Sequence, residues 1–216
     1  MKPDYIIFSD ASVRTSNDKT YSSYAAVILN CKTRDYASIS GPLSKKSTAY
    51  CEGYAVYQAL RYLHRVTKHD EDYKFRKLKA LVVSDSKLTV CTFSTWLQGW
   101  NTDDWNNWTK RRDNEPVKNQ DLYRKIIKVM ENSNMKVKFA HIRSHRNLRN
   151  DDAIKGIKHH LEEWQVNLNK KTAKMFGEMN ALADILATGI TENLVFEDKD
   201  KSDGFTKLQW KGGKHA

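Results

Sequence analysis

Two apolar segments, "YIIFSDASV" (5–13) and "KLKALVVSDS" (77–86), each run into an aspartate. In an extended chain alternate side chains share a face, so Ile6, Phe8 and Asp10 point one way, and so do Leu81, Val83 and Asp85. The isoleucine, leucine, valine and phenylalanine side chains ask for burial. The aspartates cannot be buried as anions without a partner. The strands either emerge into water at these points or deliver their carboxylates to a cation. If the two strands are parallel neighbours, Asp10 and Asp85 lie together at the carboxyl edge of a sheet, where open α/β sheets bind ligands.

The remaining periodicity supplies such a sheet. "YSSYAAVILN" (21–30) and "RDYASISG" (34–41) extend the first strand into a meander, and "MKVKFAHI" (135–142) is a fifth strand. Between them the period changes. "STAYCEGYAVYQALRYLHRVTKH" starts at Ser47 with Ala49, Glu52, Val56, Ala59, Leu60 and Leu63 at helical spacing, and Ser47 or Thr48 is its N-cap. The spacing predicts further helices over 87–100, over 120–132 with Leu122, Ile126, Ile127 and Met130 inward, over 151–168, and over 172–189 with Gly189 as C-cap. The order of strands and helices makes one α/β domain with a five-stranded mixed sheet flanked by helices.

Glu52 falls in the first turns of the first long helix on its apolar side, and Asp184 falls near the buried side of the last helix. Each acid has a plain structural reading, as a turn residue or as a complement to a helix dipole. Four such placements in one chain favour a common purpose. Carboxylates packed together repel and protonate unless cations neutralise them. An all-oxygen donor set without His or Cys suits Mg²⁺ or Mn²⁺.

Composition narrows the partners. Among 216 residues, 39% are hydrophobic, enough for a core, and the formal net charge is +11, which favours polyanions, nucleic acid before acidic membrane surfaces. Cys31, Cys51 and Cys91 have no paired spacing, which argues against a disulfide framework or a zinc site and for a reducing interior. No apolar run is long enough for a membrane span, and the N-terminus carries no signal-peptide pattern.

"YIIFSDASV", "STAYCEGYAVYQAL", "LVVSDSKLTV" and "NALADILA" resemble, in this order, the four acidic motifs of type 1 ribonuclease H. "FSTWLQGW…NEPVKNQDLYRKI" is similar to the segment after the third acid, which in that family carries a tryptophan-containing basic handle, and "VKFAHIRSH" is similar to the last strand and histidine loop. The resemblance covers about residues 4–145 and resumes near Met179. It implies a metal-dependent endonuclease that cuts the RNA strand of RNA–DNA hybrids, leaving 5′-phosphate and 3′-hydroxyl ends. It implies two Mg²⁺ ions, with Mn²⁺ as a substitute, on Asp10, Glu52, Asp85 and Asp184, and no small-molecule cofactor. His145 matches the loop histidine that helps protonate the leaving group or release product. His141 reads as structural.

Substrate contacts are expected from Ser12 and Arg14 in the first turn and from Ser47 and Thr48 at the head of the first long helix. Thr48 and Ala49 stand where the family usually carries an asparagine pair. In the handle, Trp100, Trp105 and Trp108 are candidates for stacking on sugar or base, with Lys110, Arg111 and Arg112 for phosphates. Trp96 and Trp100, one turn apart, also read as core. Residues 101–120 hold as many acids as bases, so the stronger cationic run is 136–149, with Arg143 and Arg146 as hybrid contacts.

The expected organisation is a single domain over 1–190 with an insert at about 147–178, followed by a loose charged tail over 191–216. A monomer in the cytoplasm of a bacterial or virus- or phage-infected cell is expected. Two rival functions stay open: a DNA nuclease of resolvase or transposase type on the same sheet, and a hybrid-binding module without catalysis.

Overall fold

The computed structural model describes residues 2–44, 47–103, 107–142 and 170–203. β1 (Tyr5–Ser16) and β2 (Lys19–Asn30) form a long antiparallel hairpin from Tyr5↔Asn30 to Ser16↔Lys19. Its two-residue turn places Asn17 and Asp18 at φ 50° and 58°, the left-handed pair that suits a tight hairpin and that Asn and Asp tolerate best among non-glycine residues. β3 (Tyr36–Ser44) adds antiparallel to β2, while β4 (Leu78–Ser84) lies parallel to β1 and β7 (Met135–His141) parallel to β4. The sheet order is β3-β2-β1-β4-β7, the mixed five-stranded sheet that the sequence predicts.

Alternation sorts the sheet into two cores. Ile7, Ala26, Ile28, Ala80 and Val82 face α1 (Thr48–Thr67) and α3 (Gln120–Asn132), packing on Val56, Leu60, Leu63, Leu122 and Ile126. Ile6, Phe8, Val27, Leu81 and Val83 form the other core with Phe176 and Ala183 of the long helix α4 (Lys170–Asp203). The β1–β4 register ends at Ser9↔Ser84, so the next residue of each chain is Asp10 or Asp85.

The helices then aim the remaining acids. Ser47 caps α1 by accepting from the Tyr50 amide, which starts the helix one turn before Glu52. Gly53 lets α1 approach α3 closely, since a β-carbon there would stand 3.0 Å from Leu122 Cδ2.

Two helix boundaries differ from those expected. α2 (Lys87–Ser94) stops well before residue 100. Ser94 and Thr95 turn their hydroxyls back onto the Val90 and Cys91 carbonyls, which competes with helix propagation. A 3₁₀ turn at Trp96–Gly99 follows, and then β5 (Trp100–Asn101) pairs with β6 (Thr109–Lys110) in a small ribbon. The second difference is at Gly189. The glycine does not cap the helix, and α4 continues through Asp203, including the start of the segment expected as a loose tail. A glycine inside a helix costs only about 1 kcal/mol. Beyond it Thr191 is buried and its hydroxyl lies 2.8 Å from that of Ser12, while Glu192 pairs with Arg14 at 2.8 Å. The helix expected over 151–168 lies outside the described residues. Among the described residues no helix is long and apolar enough to cross a membrane.

Candidate metal centre

At the carboxyl edge of β1 and β4 the structure brings Asp10, Glu52 and Asp85 together, with one carboxylate oxygen from each lying within 4.8 Å of the others. Three residues far apart in sequence meet because the parallel pairing of β1 with β4 stops at Ser9 and Ser84, just before Asp10 and Asp85, while β1 itself runs on to Ser16, and the first turns of α1 bring Glu52 to the same point.

Each aspartate is held by local backbone chemistry. The Ala11 amide donates to Asp10 Oδ1 at 2.7 Å and fixes that carboxylate. Asp85 occupies the turn between β4 and α2. The Ser86 amide donates to Ser84 Oγ at 3.2 Å, and Ser86 caps α2 by accepting from the Thr89 amide. His141 Nε2 lies 3.1 Å from the Asp85 carbonyl, and a carbonyl only accepts, so Nε2 carries the proton. The Ile142 amide donates to the Ser84 carbonyl at 3.0 Å. The end of β7 thus pins the turn that presents Asp85, which gives His141 the structural part expected of it.

Asp184, the fourth expected ligand, is not among the residues whose oxygens lie within 4.8 Å of one another, and it faces the nest from α4. Its charge raises the pKa of Asp10, and Thr188 donates to Asp184 Oδ1 at 3.2 Å from one turn further along α4. Ser23 of β2 fixes that stretch of helix by donating to the Ala187 carbonyl at 2.6 Å. Neither Thr188 nor Ser23 stands out in the sequence, because a hydroxyl on a helix or strand carries no pattern of its own.

The electrostatics follow from the crowding. Burial pushes the Asp10 carboxyl from 3.8 up to about 7, with the Asp85 charge next in weight; the Ala11 amide opposes both and Asp184 adds to the rise. Burial raises Glu52 well above the ordinary carboxylate range, with the charges of Asp10 and Asp85 behind it. Glu52 is 6% exposed, and its Oε2 has no hydrogen-bond partner. A buried acceptor surrounded by other acceptors can be satisfied only by a proton or a cation. An all-carboxylate set fits hard divalent ions such as Mg²⁺ and Mn²⁺.

The substrate candidates divide. Ser12 and Arg14 follow Asp10 along β1, and both contact α4, Ser12 through Thr191 and Arg14 through Glu192. Ser47 and Thr48 are exposed at the head of α1. In the handle, two expectations are corrected. Trp100 and Trp108 are not stacking surfaces. Trp108 is 1% exposed and packs with Trp100, Val117 and Tyr123 in a small core of its own, with Trp100 stacked on Tyr123 at 5.7 Å. The Trp108 backbone is paired as well, its amide donating to Gln120 Oε1 and its carbonyl accepting from the Val117 amide. Among the described residues of this segment the exposed aromatic is Trp96, at 45%. Lys110 pairs with Glu115 at 2.6 Å, Arg111 donates to the Trp100 carbonyl, and Arg112 is exposed. Trp105, Arg143, His145 and Arg146 lie outside the described residues.

Comparison with known proteins bears on this geometry. The sequence model of the RNase H family matches residues 2–189. A protein described as a probable ribonuclease H from Acanthamoeba polyphaga mimivirus is 24% identical over 103 residues, covering 48% of this chain and 40% of that protein. The match thus spans less than half the length of that curated relative. The solution structure of the RNase H domain of prototype foamy virus superimposes with a TM-score of 0.59 at 18% identity, covering 89% of this chain and 96% of that domain. A foamy viral protease–reverse transcriptase, solved in complex with RNA/DNA hybrid, gives 0.56 at 15% identity over 88% of this chain and 20% of that one. A type 1 RNase H with the type 2 active-site motif gives 0.51 at 13% identity over 80% of this chain and 85% of that one. At these identities the superpositions establish a shared fold.

Proposed function

This chain belongs to the RNase H family, and from that premise we propose that it is a nuclease that hydrolyses the RNA strand of RNA–DNA hybrids, leaving 5′-phosphate and 3′-hydroxyl ends. The observation that carries the proposal is the nest of Asp10, Glu52 and Asp85 with oxygens within 4.8 Å, joined by the charge of Asp184. In this reading the four residues hold two Mg²⁺ ions, and Mn²⁺ can replace them. Bound there, such ions supply an activated water and a counter-charge for the leaving 3′-oxygen.

The chain's own residues do the rest. The Ala11 amide holds the Asp10 carboxylate, His141 holds the backbone carbonyl of Asp85, and Thr188 holds the Asp184 carboxylate. His145 exchanges a proton with the leaving group or assists product release. Ser12, Arg14, Ser47, Thr48 and the basic residues Lys110, Arg111, Arg112, Arg143 and Arg146 contact the hybrid, with their charge matched to its phosphates. The expected insert ends before α4, because Phe176 belongs to the core, and the domain extends past residue 190, because Thr191 and Glu192 contact β1. Cys31, Cys51 and Cys91 form no disulfide, which suits a reducing compartment.

The test is a panel of labelled hybrid, duplex DNA and duplex RNA, each incubated with Mg²⁺, Mn²⁺ or EDTA. The proposal expects cleavage of the hybrid's RNA strand alone, and only with a divalent ion. Cleavage of duplex DNA in preference to hybrid, or unchanged cleavage in EDTA, would overturn it.

A further inference from the structure

Asn180 lies one helical turn before Asp184 on α4 and takes no part in the site as described so far. It is 9% exposed, and its Oδ1 is buried without a hydrogen-bond partner. A buried amide oxygen left unpaired is costly, so it calls for an explanation.

Its position can be bracketed. One turn earlier, Phe176 meets Phe8 edge-on with ring centroids 5.1 Å apart, and Phe8 precedes Asp10 by two residues on the same face of β1. One turn later, Asp184 acts on the charge of Asp10. Residues four apart share a helix face. Further along the same helix the Thr191 hydroxyl lies 2.8 Å from that of Ser12, so Asn180 lies on the side of α4 that faces the sheet, between the level of Phe8 and that of Ser12, the stretch of β1 that carries Asp10. Ionised carboxylates donate nothing, so Asp10, Glu52, Asp85 and Asp184 cannot satisfy an amide oxygen. A cation can.

We propose that Asn180 Oδ1 is an additional, neutral oxygen donor to a divalent ion held on the Asp10–Asp184 side of the nest. The inference rests on the reading of the nest as a cation site. Its chemical sense lies in charge balance. Four carboxylates already match two divalent ions. A neutral donor fills a coordination position without adding negative charge that would repel an incoming phosphate. An aspartate at the same point would bind the ion and oppose the substrate.

The test titrates Mg²⁺ and Mn²⁺ into the full-length wild type, Asn180→Leu and Asn180→Asp by calorimetry, and records thermal unfolding in EDTA. In Asn180→Leu the apparent dissociation constant for the divalent ion should rise by about tenfold or more, the range seen when a residue supporting a metal site is lost. Its metal-free melting temperature should be unchanged or higher, because an apolar group of similar size replaces an unpaired acceptor. Asn180→Asp should bind the ion at least as well as wild type while its metal-free form melts lower. Equal divalent affinity in wild type and Asn180→Leu overturns the inference. So does a metal-free Asn180→Leu protein that melts well below wild type or fails to fold while Asn180→Asp binds ions more weakly than wild type, for then the amide serves the core. A wild type that binds no divalent ion refutes the underlying reading of the nest instead.

Discussion

The carboxylate nest makes a stability prediction that runs opposite to intuition: in EDTA, Asp10→Asn should be more stable than the wild type. A carboxyl that titrates near 7 in the fold and near 3.8 when unfolded favours folding only in its protonated form. Its contribution is complete below the unfolded value and is lost as pH rises through the folded one. About three pH units at 1.36 kcal/mol each set a ceiling of roughly 4 kcal/mol for the ionised metal-free state. Coulomb repulsion gives the same scale, since two unit charges 4.8 Å apart repel by about 3.5 kcal/mol at an effective dielectric of 20. Asparagine keeps an oxygen for the Ala11 amide and removes the charge. Allowing for relaxation of Glu52 and Asp85, the gain at pH 8 should be about 2–4 kcal/mol, or about 4–16 °C in melting temperature for a chain of this size. The assay is thermal unfolding followed by circular dichroism in EDTA from pH 4 to pH 9. The variant and wild type should coincide near pH 4, diverge between pH 4 and 7, and keep a constant gap above that. Adding Mg²⁺ should narrow or reverse the gap, because the ion binds the folded wild type. A variant less stable than wild type at pH 8 in EDTA, or a gap independent of pH, would refute the reasoning.

The remaining expectations concern turnover and packing. Asp85→Asn should abolish divalent-dependent cleavage while hybrid affinity, measured by fluorescence anisotropy in Ca²⁺, stays within about threefold of wild type, a change under 1 kcal/mol. His145→Ala should slow single-turnover cleavage by ~10²-fold or less, the lower range for a general acid or base. Thr188→Val removes one neutral hydrogen bond to Asp184, so turnover should fall about fivefold with no change in fold, as about 1 kcal/mol of positioning is lost. Trp108→Ala should cost about 3–5 kcal/mol of unfolding free energy in urea, whereas Trp96→Ala, at an exposed site, should cost less than about 1 kcal/mol.

What the sequence reveals here depends on whether a residue's role is local. Alternation in 5–10 and 79–85 states which side chains share a face, and from that the meeting of Asp10 with Asp85 follows once the strands are parallel. The periodicity of 47–67 places Glu52 on the buried side of its helix for the same reason. The handle was harder to read. Trp108 stands among asparagines and aspartates, which suggests exposure, yet its ring is buried by residues from Trp100 to Tyr123 that come together only in the tertiary fold. Gly189 carries a stop signal that contacts at Thr191 and Glu192 override. Ser23 and Asn180 have no signature at all, because each lies in the interface between α4 and the sheet, and Thr188 gains its meaning only from the carboxylate of Asp184 one turn away.

The most direct measurement is anomalous diffraction from crystals of the protein soaked in Mn²⁺. The account predicts ions bonded to oxygens of Asp10, Glu52, Asp85 and Asp184, and loss of those peaks in Asp10→Asn. Manganese bound elsewhere on the surface, with none at the edge of β1 and β4, would contradict it.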